Sequence, residues 1–298
     1  MATFTQLLTS GFALGAIYAL IALGFVVIYR ASQVFNFAHG ELLAFGALMT
    51  VSLSDIGLPW ALAVATAMVA TGLLGAFIER VALRPLVGRP VFVTIMVTIF
   101  IGMVLRALLH MGWGTDPRGM PTPWDPMAKI EVGGAVLWYN SLAAVGTAGA
   151  GLALFFVLLR KTKLGVAMRA TASDQETSLA LGIPVGRVFA LTWFLAGMYA
   201  ALAGVFLGMF PRNVDVELGY VALRAFPAVI VGGLESPVGA VVAGLSLGIL
   251  EVLAQGYLNP MLGQFGQNFH EVFPYLLMVL VLVVRPYGLF GQKTVRRV

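Results

Sequence analysis

The chain has 298 residues, of which 60% are hydrophobic and only 10% charged. Water-soluble domains run nearer a quarter charged, and one core in a soluble fold of this length could not hide so much apolar surface. Disorder is excluded, because disordered chains are apolar-poor and charge-rich. The net charge of +5 is too small beside the apolar mass to indicate a nucleic-acid partner. Cysteine is absent, which removes disulfides, thiol chemistry and Cys-ligated metal. What remains is an all-α, polytopic membrane protein in contact with lipid.

A helix needs roughly 20 apolar residues to cross the hydrocarbon, where its backbone must satisfy its own polar groups. Charge-free runs mark nine candidate segments. The first is Gly11–Tyr29. The ten residues before it lack the Lys or Arg that opens a secretory signal, so it is expected to be a retained span. Leu42–Leu53 is short. Leu58–Ile78, Val91–Leu105, Val132–Leu159 and Val188–Pro211 are long enough or nearly so. Ala225–Leu234 is short and broken by Pro227, and Ser236–Leu250 and the short Val272–Val284 close the series. The alternation of an outer-membrane barrel does not occur. Glycine is abundant, and Gly11/Gly15, Gly204/Gly208 and Gly244/Gly248 form small-x-x-x-small faces, expected to pack within the chain more readily than between copies.

Nine crossings put the termini on opposite sides. With the C-terminus inside, 13 of the 18 Lys and Arg lie inside, and Arg106, Arg118, Lys129, Arg212 and Arg224 lie outside. That bias predicts N-terminus out and C-terminus in. The largest outside loop, His110–Glu131, carries Trp113 and Trp124, which suit the headgroup layer. The whole chain reads as one permease-like domain. An offset of 182 residues pairs Phe12 with Phe194, Arg30 with Arg212 and the short second segment with the short seventh. Halves at 11–110 and 188–285, separated by one span, would be inverted, as in many transporters.

Three places stand out from the apolar background. Asn36-Phe-Ala-His-Gly-Glu41 meets the start of an apolar helix. Asn36 is suited to cap it, and Glu41 is favoured near its N-terminus by the helix dipole. His39 is open to three readings: part of a structural cap, a lining of a translocation path, or an acid–base group. His110 and His270 are remote in sequence, so no metal cluster is expected. In the loop 160–187, Ser173-Asp174-Gln-Glu176 reads as a capping box with Ser173 as N-cap. Leu179, Ala180 and Leu181 follow, Gly182 is placed for a left-handed cap, and Pro184 forbids continuation. So a two-turn helix over Asp174–Leu181 is expected outside the membrane, too short to be stable without a docking surface. Gly232-Gly233-Leu-Glu235-Ser-Pro237 makes a tight reversal.

Together these places resemble the permease family of branched-chain amino acid ABC importers, the LivH/LivM type. Asn36-Phe-Ala-His-Gly-Glu41 is similar to the family's most distinctive run and favours its LivH-like members. Arg169–Ile183 resembles its cytoplasmic coupling loop, and Glu79-Arg80, Arg84-Pro85, Gly232-Gly233 and Arg285–Gly291 also fit. The resemblance implies a permease that does no chemistry of its own. It implies a second permease (LivM-like or a second copy), two ABC ATPase subunits that use the ATP, and a periplasmic solute-binding protein, all at a bacterial inner membrane. It places Asn36, His39 and Glu41 on the path or its gate. Ser173, Asp174, Glu176, Leu179, Ala180 and Gly182 fall on the ATPase-coupling helix. The family often has a second acidic or amide residue where this chain has Thr177-Ser178.

No cofactor is expected in the chain, which lacks the Gly-x-x-x-x-Gly-Lys-Ser/Thr phosphate loop. The other classes left by the residues are an ion-coupled carrier or channel and an intramembrane enzyme. Ion coupling often needs ionisable groups within spans, whereas Glu41, Glu79, Glu251 and Glu271 read as segment ends.

Overall fold

The computed structural model describes residues 2–86, 89–132, 135–209 and 211–291. Thirteen α-helices dominate the described residues: α1 (Ala2–Ser32), α2 (His39–Asp55), α3 (Trp60–Ile78), α4 (Val91–Trp113), α5 (Tyr139–Lys161), α6 (Lys163–Ser173), α7 (Gln175–Ala180), α8 (Val185–Leu207), α9 (Leu218–Leu223), α10 (Phe226–Gly232), α11 (Pro237–Leu253), α12 (Asn259–Met261) and α13 (Phe269–Val284). Six helical stretches are long and apolar enough to cross a membrane. The other three predicted segments correspond to α2, to α9 with α10, and to α13, all shorter. One boundary is corrected. Val132–Leu159 begins too early, because Lys129–Val132 and Ala135–Trp138 form an antiparallel β-hairpin and the helix starts at Tyr139. Gly133 and Gly134 lie outside the described residues. The hairpin residues are β-branched or aromatic at several positions, which suits a pleat as well as a helix.

The centre of the bundle is α1, flanked by α8 and α11. From Tyr18 to Leu23 every side chain of α1 is fully buried. α4, α5 and α13 stand at the periphery, with large apolar side chains such as Phe100, Leu154 and Val283 exposed. Close approach at the centre depends on glycine. A Cβ on Gly11 would lie 2.7 Å from the Ile249 Cα, and one on Gly244 2.7 Å from the Ala19 Cα. So two of the predicted small-residue faces pack on each other, α1 against α11. Gly204 backs onto the Leu43 carbonyl of α2, and a Cβ on Gly208 would meet the Val214 side chain. All three faces are used inside the chain, where backbone proximity replaces the hydrophobic drive that lipid removes.

The succession long helix, short helix, helix with a π-turn, helix occurs twice among the described residues. α3 continues into a π-segment at Glu79–Leu83, and α11 into one at Ala254–Leu258. α3 packs on α8 as α11 packs on α1.

The two ends of the bundle collect different groups. At one end Val136 N–H donates to Gln6, Arg118 bridges to Val214, and Trp124 donates to Asn140 at 2.7 Å. At the other, Arg84 bonds the Gly186 carbonyl, and Leu289 and Phe290 bond the α10 carbonyls of Val231 and Gly232. Arg106 and Arg224, counted above among the outside residues, instead lie within the bundle. Arg106 is in the interior of α4, and Arg224 stands between α9 and α10. Lys293, Arg296 and Arg297 lie outside the described residues.

Candidate functional site

α1 ends at Ser32, and Gln33 takes a left-handed φ of +55° that turns the chain back. The backbone from 33 to 38 then runs inward along α1. The His39 ring lies against Phe25, with centroids 4.5 Å apart, and a Cβ on Gly24 would be 2.5 Å from its Cε1. Gly24 is eight residues from the end of α1, roughly 12 Å at the helical rise. So α2 starts inside the bundle, which explains why its apolar run is short. The irregular backbone is satisfied locally: Ala38 N–H donates to Asn36 Oδ1 at 3.1 Å, His39 N–H to the Asn36 carbonyl, and Thr98 of α4 donates to the Phe35 carbonyl at 2.9 Å. Non-helical chain at membrane depth is tolerated only with such support.

The Asn36 cap is thereby corrected. The residue flanking the helix is Ala38, without a side-chain cap, and Asn36 closes a turn one step earlier. His39 is fully buried, and the hydrogen-bonding group at its ring is the backbone of Ile21 on α1. Glu41 occupies the first turn of α2, as expected from the dipole. It marks the start of a helix that begins inside the bundle. Its carboxylate pairs with Arg106 of α4 at 2.5 Å, and the guanidinium sits 3.4 Å from the centroid of the Tyr220 ring on α9. Gly102 of α4 faces the carboxylate, its Cβ position lying 3.4 Å from Glu41 Oε2. Gly40 backs onto Gly219, so the starts of α2 and α9 meet inside the bundle.

Further ionisable groups lie where charge-free reading put only ends. Glu251 is buried within the α11 span and accepts from the Tyr18 hydroxyl of α1 at 2.8 Å. Arg224, at the break between α9 and α10, pairs with Glu271 of α13 at 2.9 Å. Glu79 is buried and pairs with Arg84 at 2.8 Å. Glu41 and Glu251 read as segment ends for one reason: each apolar run is ended at a charge that tertiary structure buries and partners. Arg106, Tyr220, Tyr18 and Arg224 carried no local signal as site residues.

The loop helix forms as expected, with a shifted cap. Ser173 ends α6, and Asp174 is the N-cap of α7. The Asp174 carboxylate accepts from the Thr177 N–H at 2.9 Å and from its hydroxyl at 2.8 Å. These bonds to the charged form hold its pKa below the usual carboxylate value. No reciprocal capping-box contact forms: both Thr177 groups donate to the Asp174 carboxylate, and the Asp174 N–H bonds the Ala170 carbonyl of α6. Gly182 has φ +79°; Gly182 N–H bonds the Leu179 carbonyl and Ile183 N–H the Ser178 carbonyl, a Schellman end. Ser178 is buried against the bundle, whereas Leu179, Ala180 and Leu181 are exposed. Gln175 of α7 lines a cavity of about 210 Å³ together with Ser32, Gln33, Glu79 and Arg84. One cavity thus joins the loop helix to the turn that leads into Asn36.

Long apolar helices around two short ones that meet inside the bundle, with ion pairs buried between them, define a multi-pass helical membrane protein of the transporter type. Sequence comparison narrows the class. Residues 7–282 match the family described as branched-chain amino acid transport system / permease component, and the chain belongs to that family. The chain is 31% identical to the high-affinity branched-chain amino acid transport system permease protein LivH of Escherichia coli (strain K12), over 99% of this chain and 98% of LivH. It is 30% identical to the corresponding permease protein BraD of Pseudomonas aeruginosa, with the same coverage. Among solved structures, PsaBC from Streptococcus pneumoniae in complex with Fab superposes with a TM-score of 0.51 at 10% identity, covering 95% of this chain and 92% of that one. That likeness concerns the fold alone.

Proposed function

We propose that the chain is the membrane-spanning permease subunit of an ABC importer that moves branched-chain amino acids or a related small polar solute across a bacterial inner membrane. The observation that carries this reading is the end-to-end likeness to LivH and BraD. ATP is used by two separate ATPase subunits, a periplasmic solute-binding protein delivers the solute, and a second permease, LivM-like or a second copy, completes the path. The repeated order of elements supports inverted halves, with the starts of α2 and α9 meeting near the axis between them. Asn36, His39 and Glu41 belong to the gate: they sit on irregular backbone inside the bundle, where small rearrangements open or close a path. The α7 helix is the coupling element, and the cavity it shares with Gln33 is its route to that gate.

The test is uptake of labelled leucine into proteoliposomes holding the chain with its ATPase, partner permease and binding protein. Uptake is expected only with ATP inside and binding protein outside. Uptake by the chain alone, driven by an ion gradient, would establish a carrier instead.

The orientation is N-terminus periplasmic and C-terminus cytoplasmic, from the excess of Lys and Arg at the α7 end. With no native cysteine, single replacements report it cleanly. A Cys at exposed Asp116 is expected to react with an impermeant reagent in intact cells, and a Cys at exposed Leu181 only after permeabilisation. The reverse pattern would invert the topology.

A further inference from the structure

At the end of the bundle that carries α7, the last turn of α1, α6 and the start of α11 with the turn before it enclose a cavity of about 540 Å³, floored by Arg30, Arg169, Ser173, Glu235 and Ser236. Arg30 is half-buried and has no hydrogen-bond partner among the described residues; its charged neighbours are the Glu235 carboxylate and the Arg169 guanidinium. Arg169 is held in place by the Leu159 carbonyl. A second cavity of about 290 Å³ shares Arg30, Arg169 and Val238 and adds Arg160 with Phe156 and Leu159. Two guanidiniums therefore face one carboxylate in the larger cavity, and in the smaller one the same two meet the exposed Arg160 with no carboxylate in its lining. A partly desolvated cation beside another cation is costly unless an anion joins them. The N-terminal dipole of α11 adds to the positive field.

We propose that this pocket binds the phosphate of an anionic phospholipid, with the guanidinium of Arg30 as its principal contact. Guanidinium forks match phosphate oxygens, and basic pockets between helices at a membrane surface suit anionic headgroups. The wall decides for a lipid over free phosphate. The polar floor runs into Phe156, Leu159 and Val238, and beyond them Leu154 and Val157 of α5 and Val242 of α11 are exposed apolar surface along which acyl chains lie. A free anion would use the floor and gain nothing from that wall. The bound lipid would brace α6, and through it the position of α7, against the end of α1.

The test is native mass spectrometry of the purified full chain with phosphatidylglycerol or phosphatidylcholine of identical acyl chains. Phosphatidylglycerol is expected to be retained preferentially, and Arg30→Gln to weaken it about five-fold, the share of one basic residue at an anionic surface, with phosphatidylcholine unchanged. Arg285→Gln, at the same end but outside the pocket, is expected to change neither. Should Arg30→Gln not fold, Arg160→Gln reads the same selectivity. Equal retention of the two lipids, an equal effect of Arg285→Gln, or full displacement of lipid by inorganic phosphate would overturn the proposal. So would unchanged lipid binding with loss of a co-purifying ATPase, which would make the floor a protein contact.

Discussion

Ala180→Arg is expected to abolish ATP-driven uptake while the protein inserts and folds normally. α7 lies outside every span, and Leu179, Ala180 and Leu181 present an exposed apolar edge on a helix of only six residues. Such a helix does not persist alone in water. Here both ends are fixed, by Asp174 and by Gly182, and buried Ser178 holds it to the bundle. The element is preformed, which lowers the ordering cost of docking. An arginine in the centre of that edge would carry an unpaired charge into the docked interface, at several kcal/mol, or roughly 100-fold or more in retention of the ATPase. Gly182→Val is expected to act in the same direction, because a β-branched residue is strained at a φ of +79°. The measurement is co-purification of ATPase with the solubilised complex, alongside uptake. Stoichiometric ATPase and normal uptake with Ala180→Arg would leave this loop a linker.

Removing Arg106 is expected to cost more than removing both members of its pair. Arg106→Met strands the Glu41 carboxylate among Gly102, Ala38 and the start of α2, with its cation gone. Breaking a buried pair from one side costs about 3–5 kcal/mol, and the lost stacking on Tyr220 adds about 0.5–2 kcal/mol. The double variant Glu41→Gln/Arg106→Met leaves no buried charge, so its melting temperature in detergent is expected to lie above that of Arg106→Met. Uptake is expected to fall in both, because the pair joins α2, α4 and α9 where the two short helices meet. Strictly additive losses in a double-mutant cycle would show that the two side chains do not act as a pair.

The class of protein, the number and order of its apolar segments, and the loop helix with its glycine end were all legible in the residues. Each rests on local physics: apolar run length, turn chemistry and helix-end hydrogen bonding act over a few neighbours in sequence. The break expected within Ala225–Leu234 lies just before it, between α9 and α10, and Pro227 stands in the first turn of α10, where its missing N–H costs nothing. The cap of α7 was misplaced by one residue, because Ser173 and Asp174 are both good caps and only the end of α6 decides between them.

Partnership was what the sequence left undetermined. The apolar runs Leu42–Leu53, Val91–Leu105, Ala225–Leu234, Ser236–Leu250 and Val272–Val284 were each bounded at one end by an ionised residue: Glu41, Arg106, Arg224, Glu251 and Glu271 in turn. Tertiary structure gives all five a partner, burying Glu41 and Glu251 and leaving Glu271 partly exposed. Glu41 meets Arg106 and Arg224 meets Glu271, pairs separated by 65 and 47 positions, and Glu251 meets Tyr18 across 233. A lone charge in lipid is expelled to the surface, whereas a paired one is tolerated inside. Whether a partner exists is a property of how α2, α4, α9, α11 and α13 pack, and no window of sequence contains it. The same packing set the depth of His39, because six residues of irregular chain are long enough to continue outward or to turn back, and the space left by Gly24 beside Phe25 draws them inward.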